Sequence, residues 1–184
     1  MSIVLNSNKR GAVGEYLKEN TNKNSLIDIS SSFFTIYAYE ELKNILDKSK
    51  KVRFLFNEPT FIKRIESNQK EVKEFQLQMS KRERSLSEFP IEINLKNNLD
   101  QNQIASRVFQ FVNEKVDVKS VLNANKVTAS AFNIKNTNSE NFLINGSNVS
   151  FSMDGLGYSK GQNFHFNQVS RDENIIKDFD EYFN

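Results

Sequence analysis

The chain holds a single imidazole, His165, and no cysteine. Those two counts settle much of the chemistry open to it. Without Cys there is no disulfide, no thiolate zinc site and no thiol nucleophile, a composition that fits a reducing compartment. With one His, no site that needs two imidazoles can be assembled, and neither a metal nor a cofactor is expected. His165 lies in NFHFN, where strand alternation places it on the face opposite Phe164 and Phe166. A lone histidine on a strand is more often structural than catalytic. Its chemical alternative is a general base or covalent nucleophile, because imidazole as a residue type titrates near physiological pH. Carboxylates cluster at Glu71/Glu74, Asp172/Glu173 and Asp178/Asp180/Glu181, at helical spacings that read as solvated faces rather than an acid–base pair. Basic clusters at Lys48–Arg53, Lys63/Arg64 and Lys81–Arg84 lie among or beside acids and read the same way, with phosphate contact as the alternative. The glycine-bearing segments INGSN and DGLGYSKG lack the Lys-Ser/Thr pair of a phosphate loop and read as turns between strands.

The elements that must position these groups follow from the hydrophobic rhythm. The chain has 184 residues, 38% hydrophobic and 26% charged, enough for one domain with a sizeable core. Lys+Arg 25 against Asp+Glu 23 gives a net charge of +2, which excludes a polycation, so any nucleic-acid contact must come from a local patch. No apolar run reaches the ~20 residues of a membrane span, and the start MSIVLNSNKR has no signal-peptide core. A soluble, cytoplasmic protein with no membrane partner is expected.

Apolar spacing predicts a helix over Val13–Asn20, a buried strand in SLIDISSSFFT, and a helix over Tyr37–Leu46. A second strand, Val52–Phe56, is stopped by Pro59. Strand, helix and strand within ~35 residues predict a βαβ unit with a parallel pair and a right-handed crossover. Residues 66–87 read as a charged, partly helical, exposed excursion. A helix follows at Gln103–Glu114, with Ile104, Val108, Phe111 and Val112 on one side. Strands are predicted at Val116–Val121, Thr128–Ile134, Asn141–Asn145 and Phe164–Val169, with a turn at Asn136–Asn141. RDENIIKDFDEYFN reads as a helix with acids in its first turn, as the helix dipole prefers. The class is α/β with a mixed sheet, a single domain over residues 1–184.

The succession GAVGEYLKEN, SLIDISSSFFTIYAYEELKNIL, KVRFLFNEPTFI, the Gln103–Glu114 helix, KVDVKSV and then INGSNVSFSMDGLG resembles a known domain. It is similar to the phospholipase D-like domain at the N-terminus of many bacterial superfamily-two helicases of the restriction and defence type. The likeness runs through nearly the whole chain, to DFDEYFN. It implies a mixed sheet flanked by helices and a homodimer with its cleft at a two-fold interface. In that superfamily a strand carries His-x-Lys and a later turn carries Gly-Ser-x-Asn. The His attacks phosphorus, the Lys and Asn stabilise the phosphoryl oxygens, and a second His protonates the leaving oxygen, without a metal.

Placed on that pattern, KVTASAFNI puts Thr128 at the nucleophile position and Ser130 at the Lys position. INGSNVS puts Asn145 at the Gly position and Gly146 at the Ser position, and keeps Asn148. His165 falls about where an orienting acid lies. No His occurs between Met1 and Phe164, so the covalent nucleophile is missing. A hydroxyl replaces it only with an adjacent base, and His165 is the one imidazole available to Thr128 or Ser130. The resemblance therefore implies a catalytically silent domain that binds DNA or a protein partner, a helicase or defence component that it regulates or blocks. Lys126, Lys135 and Lys160 are the lysines expected to flank the former site. The alternative is a metal-independent nuclease or phosphodiesterase with a centre rearranged around His165, Ser130 or Thr128, and Asn148. A third reading is a structural fragment of a helicase, whose motor lies outside these residues because no Walker-type loop is present.

Overall fold

In the central strands apolar residues alternate with polar ones: Ile27 and Ile29 with Asp28 and Ser30, Phe132 and Ile134 with Asn133 and Lys135. That period of two gives the sheet one apolar and one polar face. The computed structural model describes residues 3–5, 11–32, 34–57, 92–121, 129–159, 165–181 and 183. Seven strands form one sheet: β1 (Ile3–Leu5), β2 (Leu26–Ser31), β3 (Lys51–Phe56), β4 (Val116–Ser120), β5 (Ala131–Lys135), β6 (Phe142–Gly146) and β7 (Asn167–Ser170). Their spatial order is β1-β7-β6-β5-β2-β3-β4. β3 pairs in parallel with β2 and β4, and every other pair is antiparallel. The described helices are α1 (Val13–Asn20), α2 (Ile36–Lys48), α3 (Glu92–Lys115) and α4 (Glu173–Glu181). The chain is thus a mixed α/β domain.

The parallel β2–α2–β3 unit stands as the spacing predicts. Thr35 starts α2 by accepting a hydrogen bond from Ala38 N–H at 3.2 Å, which satisfies one of the unpaired donors at a helix start. Other boundaries move. α3 begins at Glu92 rather than Gln103; its first half, EINLKNNLDQ, is too polar to show the stripe that Val108, Phe111 and Val112 show. β1 has only three residues, too few to carry a period. β5 starts at Ala131 and β7 at Asn167, so Ser130 and His165 precede their strands instead of lying on them. The 66–87 excursion and Pro59 lie outside the described residues.

The apolar face carries the main core. Ile27, Ile29, Phe54, Phe132 and Ile144 pack there with Val13 and Leu17 of α1, Leu42 and Leu46 of α2, and Phe111 of α3. At its centre Phe34, Phe54 and Phe151 meet, with ring centroids 4.8–5.8 Å apart. The polar face is covered by α4, whose Ile176 and Phe179 pack on Ala131 and Leu143 in a small separate cluster. The rest of that contact is charge. Arg53 donates through Nε and Nη2 to both oxygens of Asp28, at 2.6 and 2.8 Å, and Asp28 is 1% exposed. Lys135 Nζ lies 3.2 Å from Asp28 Oδ2 and 2.6 Å from Asp180 Oδ1, and Arg53 Nη2 also donates to Asp180. The Phe183 ring lies 5.1 Å from the Arg53 guanidinium, and Lys119 Nζ donates to Phe183 O at 2.6 Å. Arg53 and Asp180 are therefore paired rather than solvated, because the strand register joins charges that are distant in sequence.

Burial pushes Asp180 up, but hydrogen bonds from Lys135 and Arg53 outweigh it and hold the carboxyl below its ordinary 3.8. The stability it contributes is complete above that unfolded value and is lost as pH falls through the lower folded one. Asp180→Asn should accordingly be less stable than the parent at about pH 6, with the difference between their urea midpoints shrinking by about pH 3. Phe151→Ala should cost ~3–5 kcal/mol at either pH, since it empties the middle of the aromatic cluster.

Candidate functional site

The C-terminal ends of β2 and β3 meet the start of β5, and a chain of short polar side chains ties them. Ser30 Oγ donates to Ala129 O at 2.7 Å, and Ser32 Oγ donates to Asn57 Oδ1 at 2.7 Å. Asn57 Nδ2 donates to Ser130 Oγ at 2.9 Å and to Ala129 O at 3.3 Å. Asn57 is 4% exposed, and its amide links Ser32 to Ala129 and Ser130. In open α/β sheets this end of the parallel strands is where ligands gather.

A second cluster forms along the same edge, where β6 ends and β7 begins. Gly146 faces Asn167, and a Cβ there would lie 2.4 Å from both Asn167 Oδ1 and Phe166 O, so the close approach of the two strands requires glycine. Ser147 N–H donates to Phe166 O at 3.1 Å, and Phe166 N–H donates to Ser147 Oγ at 3.0 Å. Asn148 N–H donates to Asn167 Oδ1 at 3.3 Å. The Asn148 amide nitrogen stands between two acceptors: Asp154 Oδ2 at 2.9 Å and His165 Nε2 at 3.2 Å. Asp154 also accepts from Ser159 Oγ at 3.2 Å. The loop that carries Asp154 is fixed to α1 by Gly14 N–H donating to Leu156 O and by Tyr158 OH donating to Glu15 at 2.6 Å. Burial pushes the Tyr158 hydroxyl up to about 12, and its bond to Glu15 adds to this, so it remains a donor. Asn167 Nδ2 is buried with no partner.

The structure brings Asn148 and His165 together, while Ser130 is bonded to Asn57. His165 is half-buried, and neighbouring Phe166 is 56% exposed. Asn145 alternates with Ile144 and so falls on the polar face, where its Oδ1 is buried without a partner. Lys135 does not flank this edge. It sits at the opposite end of β5 from Ser130, committed to Asp28 and Asp180. Thr128, Lys126 and Lys160 lie outside the described residues. Asn57, Ser32, Asp154 and Asn167 were missed by sequence reasoning. The one signal for Asn57 was its place directly after the strand run VRFLF.

A cleft of about 360 Å³ between α2 and α3, lined by Tyr39, Asp47, Arg107 and Phe111 among others, holds none of the edge residues. Among the described residues no group of three His, Asp or Glu side chains suits a metal ion, and no helix is long and apolar enough to cross a membrane. Compared with known proteins, the chain matches no family model and no curated protein.

The hydrogen bonds at His165 set its tautomer. Asp154 as a carboxylate only accepts, so Asn148 must turn its nitrogen towards it, and that same nitrogen makes His165 Nε2 an acceptor. The proton of neutral His165 therefore sits on Nδ1. With one His in the chain, nitrogen-15 NMR reads this without assignment. The Nδ1–H tautomer should dominate, and Asn148→Ala should shift the population towards Nε2–H.

Proposed function

We propose that the chain is a catalytically silent phospholipase D-like domain that acts by binding, taking DNA or a protein partner at the sheet edge and so regulating or blocking a restriction or defence system. One observation carries the reading. Ser130, which stands where the resemblance expects the Lys, is held by Asn57, while the imidazole Nε2 is occupied by Asn148. Among the described residues no base is bonded to the Ser130 hydroxyl, and an unactivated hydroxyl is a weak nucleophile. The mixed sheet, with the Asn148 turn following β6 where it ends beside the start of β5 next to Ser130, supports the same reading. The exposed Phe166 ring is the edge's apolar contact group, and Lys135 is withdrawn from the set of DNA-contacting lysines.

A second reading, a metal-independent phosphodiesterase with a rearranged centre, draws on the Asp154–Asn148–His165 chain, which orients an imidazole as such a centre needs. The two readings part in solution. The protein should leave single- and double-stranded DNA uncut in the absence of metal, and cleavage that His165→Ala abolishes would establish the enzyme instead. Binding to short DNA that weakens steeply as salt rises would assign the ligand as nucleic acid. A folded protein that ignores DNA at low salt assigns a protein partner.

A further inference from the structure

The polar face of the sheet is unusual for a covered surface. Faces kept permanently from water are built of apolar side chains, as the opposite face is. Here Asn133, Asp28 and Arg53 occupy adjacent positions across β5, β2 and β3, with Ser30 and Asn145 in the neighbouring row. On this face the side-chain amide oxygens of Asn133 and Asn145 are buried with no partner among the described residues, a cost that access to water would remove. α4 buries Ile176 and packs Phe179 in a cluster separate from the main core, and Phe183, just after it, is buried against Arg53. The polar part of its hold is Asp180 placed between Arg53 and Lys135 and Lys119 Nζ donating to Phe183 O.

The charges are complementary. Residues 171–184, RDENIIKDFDEYFN, contain five acids and two bases, a net charge of −3. Beneath them Arg53, Lys135 and Lys119 face a single buried acid, Asp28, and Lys119 holds the carbonyl of Phe183. Asp28 is already bonded through both oxygens to Arg53, so Asp180 answers the remaining cationic excess. An attached segment enjoys a high effective concentration, which lets so small a contact persist.

We propose that Arg53 and Lys135 form a docking site for an acidic amphipathic helix, that α4 fills this site as an internal ligand, and that a partner protein presenting a helix of the same chemistry displaces it. The inference stands apart from the phospholipase D-like reading, since it rests on Arg53, Lys135 and Asp180 on the polar face and not on the sheet edge.

The test uses the full chain and a fluorescein-labelled peptide of residues 171–184 as the stand-in helix. The parent should bind the peptide weakly, because α4 occupies the site. Asp180→Asn loosens the internal helix and should raise peptide affinity by about tenfold or more, with binding that weakens as salt rises. A peptide carrying the same Asp180→Asn change should lose the gain. Equal, salt-insensitive binding to parent and variant would overturn the proposal. Native-state hydrogen exchange on the parent decides the matter even where the variant fails to fold. Amides of α4 that open below the global unfolding free energy, and faster with added salt, support a displaceable helix. Amides of α4 that exchange only together with those of β2 and β5 would refute it.

Discussion

A carboxylate placed in the middle of a sheet must be neutralised where it lies, because water cannot reach it and a lone buried charge is not tolerated. Asp28 is that carboxylate, and much of the polar face is arranged around it. It sits on β2, flanked by the parallel strand that brings Arg53 and the antiparallel strand that brings Asn133 and Lys135. Arg53 answers it with a two-pronged hydrogen bond, the strong geometry for an ion pair. Removing Arg53 would leave the buried Asp28 with Lys135 as its one remaining cation among the described residues, and removing Asp28 would leave Arg53 with Asp180. The shared cations then reach outward to Asp180, so the attachment of α4 depends on the same buried charge.

The two faces of the sheet divide the work. One carries the aromatic and aliphatic core against α1, α2 and α3, which gives the sheet its cohesion. The other is polar and is covered by α4. Between the faces runs the C-terminal edge of the parallel strands, where Ser32, Asn57, Ser130, Asn148 and His165 sit in hydrogen bonds that strand ends and turns impose. Along this edge the Asn57 nitrogen has two acceptors and the Asn148 nitrogen has two, whereas Asn167 Nδ2 is buried without one among the described residues.

The local elements were legible in the chain. Ile27 and Ile29, and Phe54 and Phe56, show the alternation of half-buried strands, and Leu42 and Leu46 show the helical period, so the β2–α2–β3 unit could be read directly. The turn at Asn136–Asn141 was equally plain. Edges were less so: β5 and β7 begin three residues later than their apolar runs suggest, because a strand ends where its ladder partner ends, and partners are set by other segments. That shift moved Ser130 and His165 off their strands and into the polar rim. There Ser130 is bonded to Asn57 and His165 to Asn148.

By itself the sequence determined which chemistries are absent, through one His and no Cys, and which segments are strands or helices, through periods that nearest neighbours along the chain impose. Tertiary structure alone decided the pairings. Arg53 and Asp28 are 25 residues apart, Lys135 and Asp180 are 45 apart, and Asn57 and Ser130 are 73 apart. Read along the chain, Arg53 and Asp180 look like ordinary surface charges and Lys135 like a lysine free for DNA. The register of three neighbouring strands turns them into a part-buried ion-pair network around Asp28, because hydrogen bonds between strands join residues that no local period connects.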